Sequence, residues 1–341
     1  MKDLTIEQLS LILKSKGEDS YLIRKKADSL TEKIFGKNVY LRGIIEFSNV
    51  CSKDCLYCGI RRSNRNLERY TIEKEEIKEI IKRSYDDGFR TIVLQSGETP
   101  VYDKDITEII EYTKNNFDMA ITLSVGERKR EVYYEWKRAG ADRFLLRIET
   151  TNKELFRKLH PDDDFDIRLK ALLTLKELGY ETGTGVMIGL PGQTYEDLAK
   201  DILFFKLYDF DMLGVGPFIP HHQTPLKDEK VIDFETVLNF IALLRLVTIN
   251  TNIPATTSMA TLDKEGREKA LNSGANVIMP NYTPQKYREK YLLYDNKICI
   301  KEDESSTLEI TEEVVKRAGK KLVKERGDRR EKMLTDIPID L

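Results

Sequence analysis

The stretch "YLRGIIEFSNVCSKDCLYCG", residues 40–59, runs directly from a strand-like segment into a cysteine cluster. Residues 40–48 are a short run rich in β-branched and aromatic side chains, the pattern of a buried strand. Immediately after it, Cys51, Cys55 and Cys58 are spaced C-x3-C-x2-C and make up three of the chain's four cysteines. Three thiols are an odd number for disulfides and one short of the four ligands that close a structural zinc site. Thiolates suit iron–sulfur clusters as well as zinc. Two arrangements answer the pattern. One is a zinc loop that borrows Cys299 or a histidine; the other is a four-iron cluster whose fourth iron is left to a non-protein ligand.

Outward from this stretch the same order recurs: strand, turn, amphipathic helix. Further strand candidates are 91–97, 120–126, 142–150, 182–190, 211–218, 253–259 and 276–281, which makes eight. Between them lie helical stretches such as 72–87, where Ile77, Ile80, Ile81 and Tyr85 share a face and Gly88 takes the C′ position. Thr194 and Asp197 mark another helix start. Eight strands alternating with helices predict an α/β protein with a parallel sheet closed as a (βα)8 TIM-type barrel. One domain is expected, with a helical extension over 1–38, the barrel over 39–300 and a helical C-terminal segment over 301–341, including a helix at 311–327. In such a barrel the working residues sit at the C-terminal ends of the strands. The cysteines, following the first strand, fall on that face.

Composition excludes several classes of partner. The 56 basic and 58 acidic residues nearly cancel, so neither nucleic acid nor an anionic membrane is expected as a partner. No run approaches the roughly 20 apolar residues of a membrane span, and the first twenty residues lack a signal core. A soluble, cytoplasmic protein is the expectation, and the clustered cysteines fit a reducing compartment.

Polar residues at the other strand ends are the remaining candidates. The second strand ends in Gln95-Ser96-Gly97-Glu98. In "DRFLLRIET", period two puts Arg143, Leu145, Arg147 and Glu149 on one face. Buried charges need partners, so that face is expected to point inward near the top, with Arg147 facing a carboxylate and Glu149 a ribose hydroxyl or ammonium, unless the two simply pair. "GVMIGLPGQ" (185–193) is expected to let the backbone approach a ligand, with Met187 either touching it or serving as core. Thr256, Thr257 and Ser258 near the end of the seventh strand line a small polar cavity or bond to local backbone. His221 and His222 read as surface loop residues without a third ligand at useful spacing. His160 reads as a helix-end residue and the acidic run 162–164 as a solvated turn.

Tyr57 directly before the last cysteine completes the signature of radical S-adenosylmethionine (SAM) enzymes, and the likeness runs much further. "IIEFSNVCSKDCLYCGIRRSNRNLERY", "TIVLQSGE", "GADRFLLRIET", "LLTLKELGYETGTGVMIGLPGQT", "DFDMLGVGPFIPH", "NIPATTSM" and "GANVIMPNYTP" together resemble HydE. This is the family of radical SAM maturases that help to build the active-site cluster of FeFe hydrogenases. The resemblance spans about residues 38–300.

It implies a 4Fe–4S cluster held by Cys51, Cys55 and Cys58, its free iron chelated by SAM, which one electron cleaves to methionine and a 5′-deoxyadenosyl radical. It places Tyr57 near the adenine and Ser96, Gly97 and Glu98 at the methionine end. Ser124, Arg147, Glu149 and Met187 join them as SAM contacts. Gln95, Arg143, Thr256, Thr257, Met279 and Tyr291 match residues lining a closed internal cavity. The implied substrate is a small iron complex of cysteine carrying carbon monoxide and cyanide. The implied partners are a reduced ferredoxin- or flavodoxin-type electron donor and the other hydrogenase maturases.

Two departures stand out. Many relatives carry three more cysteines near the C-terminus for an auxiliary cluster, whereas only Cys299 is present here, so no second cluster is expected. Ile148 stands between Arg147 and Glu149 where the resemblance leads one to expect histidine. Competing readings are a paralogue such as a methylornithine-synthase-type mutase, a biotin-synthase-like sulfur inserter and a non-catalytic iron–sulfur scaffold. The sulfur inserter needs extra barrel cysteines that the other strands lack. The scaffold has no use for Arg147 and Glu149.

Overall fold

The computed structural model describes residues 4–298, 300 and 304–331. Its strands are β1 Asn38–Leu41, β2 Gly43–Ser48, β3 Thr91–Ser96, β4 Ala120–Ser124, β5 Arg143–Leu145, β6 Glu181–Thr184, β7 Met187–Ile188, β8 Met212–Leu213, β9 Gly216–Pro217, β10 Pro254–Ala255, β11 Val277–Ile278 and β12 Lys321–Val323. Its helices are α1 Ile6–Lys14, α2 Gly17–Phe35, α3 Lys74–Asp86, α4 Asp103–Asn116, α5 Arg130–Ala139, α6 Lys153–Leu159, α7 Phe165–Glu177, α8 Tyr195–Tyr208, α9 Phe234–Thr248, α10 Thr257–Leu262, α11 Gly266–Leu271, α12 Gln285–Arg288 and α13 Glu304–Arg317.

Every ladder between these strands is parallel. One sheet runs β2-β3-β4-β5-β6-β8, β7 pairs with β9 above it, and β10-β11-β1 forms the other arc. Single bridges, Met212 to Asn252 and Ile44 to Asn281, join the arcs into a closed ring. The eight strand candidates are the eight staves of this barrel. Several are broken in two or reduced to two residues, so register is carried by few hydrogen bonds and by packing.

Alternation along the strands sorts the side chains. Phe144, Leu146 and Ile148 are buried in the outer core, with Phe144 stacked on Trp136 at 6.2 Å and edge-on to Tyr133 at 5.1 Å. Ile148 therefore serves the helix layer and leaves the interior untouched. Local signals hold where the chain is strongly periodic. Ile77, Ile80 and Ile81 are buried beneath α3, Gly88 adopts φ 94°, and Thr194 and Asp197 form a reciprocal capping box at α8.

The C-terminal segment differs from the expected helix at 311–327. Helix α13 ends at Arg317, Gly319 turns the chain with φ 71°, and β12 pairs with Asn38–Tyr40 as a ninth strand. Beyond it, residues 326–330 cross the floor of the barrel. Arg329 binds Asp211 (3.0 Å), Asp209 (2.7 Å) and Asn250 (2.9 Å), Arg326 binds Asp142 (2.7 Å), and the Gly327 carbonyl accepts from Arg42 (2.9 Å) and Asn252 (3.1 Å).

Arg143 belongs to this floor. Its fully buried guanidinium binds Glu181 and Asp328 and donates to Thr91 Oγ1 (3.1 Å) and the Arg326 carbonyl (2.9 Å). The sequence reading places it near the top with Arg147. It opens β5, at the end of the barrel opposite the cysteines.

Candidate active site

The cysteine loop leaves β2 and folds over the end of β3. Cys51 Sγ accepts the Glu98 N–H at 3.4 Å, the Ser52 N–H reaches the Glu98 carbonyl at 2.8 Å, and the Gly97 N–H reaches the Ser48 carbonyl at 2.9 Å. A methyl group on Gly97 would lie 2.4 Å from the Val50 carbonyl oxygen and 2.8 Å from Cys51 Cβ. Glycine at 97 is thus required by close approach of backbone to backbone. Cys55 and Cys58 close a turn, Cys58 N–H to the Cys55 carbonyl at 3.2 Å.

Burial pushes all three thiols up, Cys58 to about 12, and the charges on its neighbours raise each of Cys55 and Cys58 further. The three sulfurs therefore feel one another. Neighbouring thiolates shielded from water are stable only beside a cation, which is the chemistry of a metal centre.

A second element cradles this loop. The Leu56 N–H donates to the Leu159 carbonyl (2.9 Å), Asp54 N–H to Asp162 Oδ1 (3.2 Å), and Lys53 pairs with Asp163 at 3.2 Å. Tyr57 Oη lies 2.8 Å from His160 Nε2, while His160 Nδ1 lies 2.9 Å from the Phe156 carbonyl. The run 162–164 is a turn with Asp162 and Asp164 exposed, as read, but it is more than solvated: Asp163 also binds the buried Arg168, and Asp164 caps α7. Nothing in sequence pointed from Pro161 back to a loop a hundred residues earlier. The only local signal was three aspartates where one suffices as a cap.

Arg147 and Glu149 stand past the end of β5, on the cysteine face. Arg147 Nη2 approaches Glu149 Oε2 to 3.2 Å, but the pair makes no hydrogen bond. Arg147 Nε and Nη2 and Glu149 Oε2 are buried and lack any hydrogen-bond partner. Burial raises the Glu149 carboxyl, and the Arg147 and Arg168 charges offset this only partly. Glu149 also adopts φ 64°, the left-handed region that costs a non-glycine residue about 1–3 kcal/mol. Its backbone is held there by Glu149 N–H to Gly185 (2.9 Å) and Met187 N–H to Glu149 (3.1 Å). Below it runs a buried charge network absent from the sequence reading, in which Lys53 meets Glu98 at 3.3 Å and Arg168 meets Glu127 and donates to the Arg147 carbonyl at 2.8 Å.

The remaining candidates fall in three groups. Met187 lies with Tyr57, Leu190 and Phe218 in one apolar cluster at the barrel top. Ser96 donates to the Gly97 carbonyl (2.7 Å), and Ser124 ends β4 in register with Gln95. Gln95 hydrogen-bonds the buried Tyr291, whose hydroxyl is pushed well up by burial. Beside Tyr291 lies a buried ion pair that sequence reasoning missed: Lys297 Nζ binds Glu46 at 2.5 Å and Asn281 donates to Glu46 at 2.9 Å.

Thr256 and Ser258 bond each other (2.9 Å) and Arg267 donates to Thr257 (3.2 Å). Thr257 and Ser258 open α10 rather than extending a strand, because β10 stops at Ala255. Met279 packs on the α2–α9 cluster. Cys299 lies outside the described residues.

His221 and His222 do have a third donor nearby, Asp295, 2.7 Å from His222 Nδ1. Their rings are stacked 4.6 Å apart at 19°, however. Lone pairs in two nearly parallel planes cannot converge on one ion about 2 Å from each nitrogen. His221 instead packs on Gly59, where a methyl group would come within 2.5 Å of its ring.

The pieces on the cysteine face fit a SAM-bound cluster. Three thiols leave one coordination position of a four-iron cluster to a non-protein ligand, and beside them a cation and an anion pair without a hydrogen bond, a complement to a ligand bearing both carboxylate and ammonium.

Comparison with known proteins agrees. The Radical SAM superfamily model matches residues 45–205. The "[FeFe] hydrogenase maturase subunit HydE" of Thermotoga maritima is 52% identical over 90% of this chain and 88% of that protein. The 3-methylornithine synthase of Methanosarcina acetivorans is 32% identical over 79% of this chain and 76% of its own. The crystal structure of methylornithine synthase (PylB) superposes with a TM-score of 0.82 at 27% identity, covering 94% of each chain. An open three-cysteine loop at the mouth of a parallel barrel, with this degree of identity along nearly the whole length, means that the chain belongs to the HydE family of radical SAM enzymes, which use a 4Fe–4S cluster and SAM.

Proposed function

We propose that this chain acts in FeFe-hydrogenase maturation as a HydE-type enzyme on a small sulfur-bearing substrate, the iron complex of cysteine that the family resemblance implies. When bound, the cluster and SAM supply a 5′-deoxyadenosyl radical. The chain's own residues do the rest. Cys51, Cys55 and Cys58 hold the metal, Gly97 lets their loop close on β3, and Arg147 and Glu149 bind the ends of SAM. Tyr57 and Met187 offer an apolar wall to its adenosyl group. Gln95 and Tyr291 face the substrate inside the barrel. The observation that carries this reading is the partly buried Arg147–Glu149 ion pair, in which Arg147 Nε and Nη2 and Glu149 Oε2 are shielded from water without a hydrogen bond that a ligand could supply. A cytoplasmic location, a reduced ferredoxin- or flavodoxin-type donor and contact with the other maturases belong to the same proposal.

The test is anaerobic reconstitution followed by dithionite and SAM. 5′-Deoxyadenosine is expected from the wild type, and none, with the cluster lost, from Cys55→Ala. An intact cluster that releases no 5′-deoxyadenosine defeats the reading. The mutase reading draws on the similarity to methylornithine synthase. Restoration of FeFe-hydrogenase activity in a strain lacking its own HydE, without methylornithine formation, decides between them.

A further inference from the structure

Two of the chain's three histidines, His160 and His221, are buried beside the cysteine loop, and His160, which touches Tyr57, has no part in the chemistry described above. His160 is held on several sides. Its ring stacks on Phe156 with centroids 4.1 Å apart, and the Tyr57 ring meets it edge-on at 5.4 Å. Nδ1 faces the Phe156 carbonyl at 2.9 Å, and a carbonyl can only accept. The proton therefore resides on Nδ1, and Nε2 presents a lone pair. That lone pair is aimed at the Tyr57 hydroxyl, 2.8 Å away, so the phenol donates. Burial lowers the imidazole to about pKa 4, which keeps it a neutral acceptor throughout the physiological range.

Tyr57 lies between two cluster cysteines, and its ring forms one wall of the apolar patch with Met187, Leu190 and Phe218. Packing confines the ring, and the hydroxyl's bond to His160 fixes its tip. We infer that His160 is a positioning residue for SAM: by accepting from Tyr57 it fixes the ring against which the adenosyl group packs. The inference rests on the SAM reading of the site. The alternative is that His160 merely fastens α6 to the cysteine loop. That fastening is already made by Leu56 to Leu159, by Asp54 to Asp162 and by Lys53 to Asp163. Losing the His160–Tyr57 bond should therefore spare the cluster and harm the ligand.

The experiment compares His160→Phe, which keeps the stack but has no acceptor, with Tyr57→Phe, the double variant and His160→Gln. Iron content and the dissociation constant for SAM are measured anaerobically on the reconstituted full chain. His160→Phe should weaken SAM about tenfold at wild-type iron content, the loss of one buried hydrogen bond. The double variant should be no worse than the poorer single one, and His160→Gln should recover part of the affinity if its amide oxygen takes the acceptor's place. A second readout is independent of SAM. In 15N-histidine spectra of the protein with oxidised cluster, Tyr57→Phe should shift Nε2 of His160 and leave His221 and His222 unmoved.

Unchanged SAM affinity in His160→Phe, iron loss in step with it, or additive losses in the double variant each overturn the inference. If His160→Phe fails to fold, His160→Gln and the Tyr57→Phe spectrum decide it. A wild type that keeps its cluster yet binds no SAM overturns the functional reading, and this inference with it.

Discussion

At the scale of single residues, two positions separate folding from function. Gly97→Ala places a methyl group against the Val50 carbonyl and Cys51, neither of which is a yielding side-chain tip. We expect a loss of about 1–3 kcal/mol in urea unfolding and a reduced iron content after reconstitution. Glu149→Gly should do the reverse. It releases the left-handed strain at φ 64°, so stability holds or rises by about 1 kcal/mol, while SAM affinity falls at least tenfold with the carboxylate gone. Unfolding and SAM-binding curves on the same preparation check both halves.

His160 adds a pH signature. Its folded pKa of about 4 lies below the ordinary value of 6.5, so the unfolded chain binds its proton first as pH falls. The stability difference between wild type and His160→Phe should shrink from pH 6.5 to 4, by up to about 3 kcal/mol before any relaxation of the neighbouring Asp162, Asp163 and Arg168. A gap that is flat across this range contradicts the buried neutral imidazole.

The three cysteines were legible because their spacing is local and soft ligands in threes have few uses. Arg147 and Glu149 were legible from period two. Arg143 shows where that argument stops. Alternation tells which face a side chain takes but not its height, and four residues of strand put Arg143 about 13 Å below Arg147.

Elements tell a similar story. The strands were found by their apolar runs, but their ends were not, since β10 keeps only Pro254–Ala255 before Thr257 starts a helix. Strand β12 was invisible because three residues after a helix-ending glycine carry no periodicity. Its worth comes from pairing with β1 and from the arginine-rich tail behind it. Asp328→Ala removes one of two carboxylates bound to the buried Arg143 and leaves Glu181. It should cost about 1–3 kcal/mol of stability, less at high salt because Asp328 is half exposed. SAM cleavage per folded molecule should stay at the wild-type rate, which a 5′-deoxyadenosine assay corrected for folded fraction will show.

For the whole molecule, site and scaffold are thermodynamically linked. SAM at a hundred times its dissociation constant should stabilise the reconstituted protein by about 2.7 kcal/mol, seen as a rise of several degrees in melting temperature. In Arg147→Ala the same SAM concentration should give a clearly smaller rise. An equal rise in both proteins would place SAM elsewhere.

The ring of staves also has two unlike ends. Below, residues 326–330 reach Tyr40, Thr91, Arg143, Asp209 and Asn250, partners drawn from around most of the circumference. Above, the cysteine loop lies against the segment carrying Leu292 and Leu293, with the Gly59 N–H donating to the Leu293 carbonyl at 3.0 Å. A vessel corked from beneath is best entered from the end that carries the cysteines. Substrate and SAM are then expected to share one approach, so a bulky side chain placed on the cysteine loop should slow both, while one placed on the floor should slow neither.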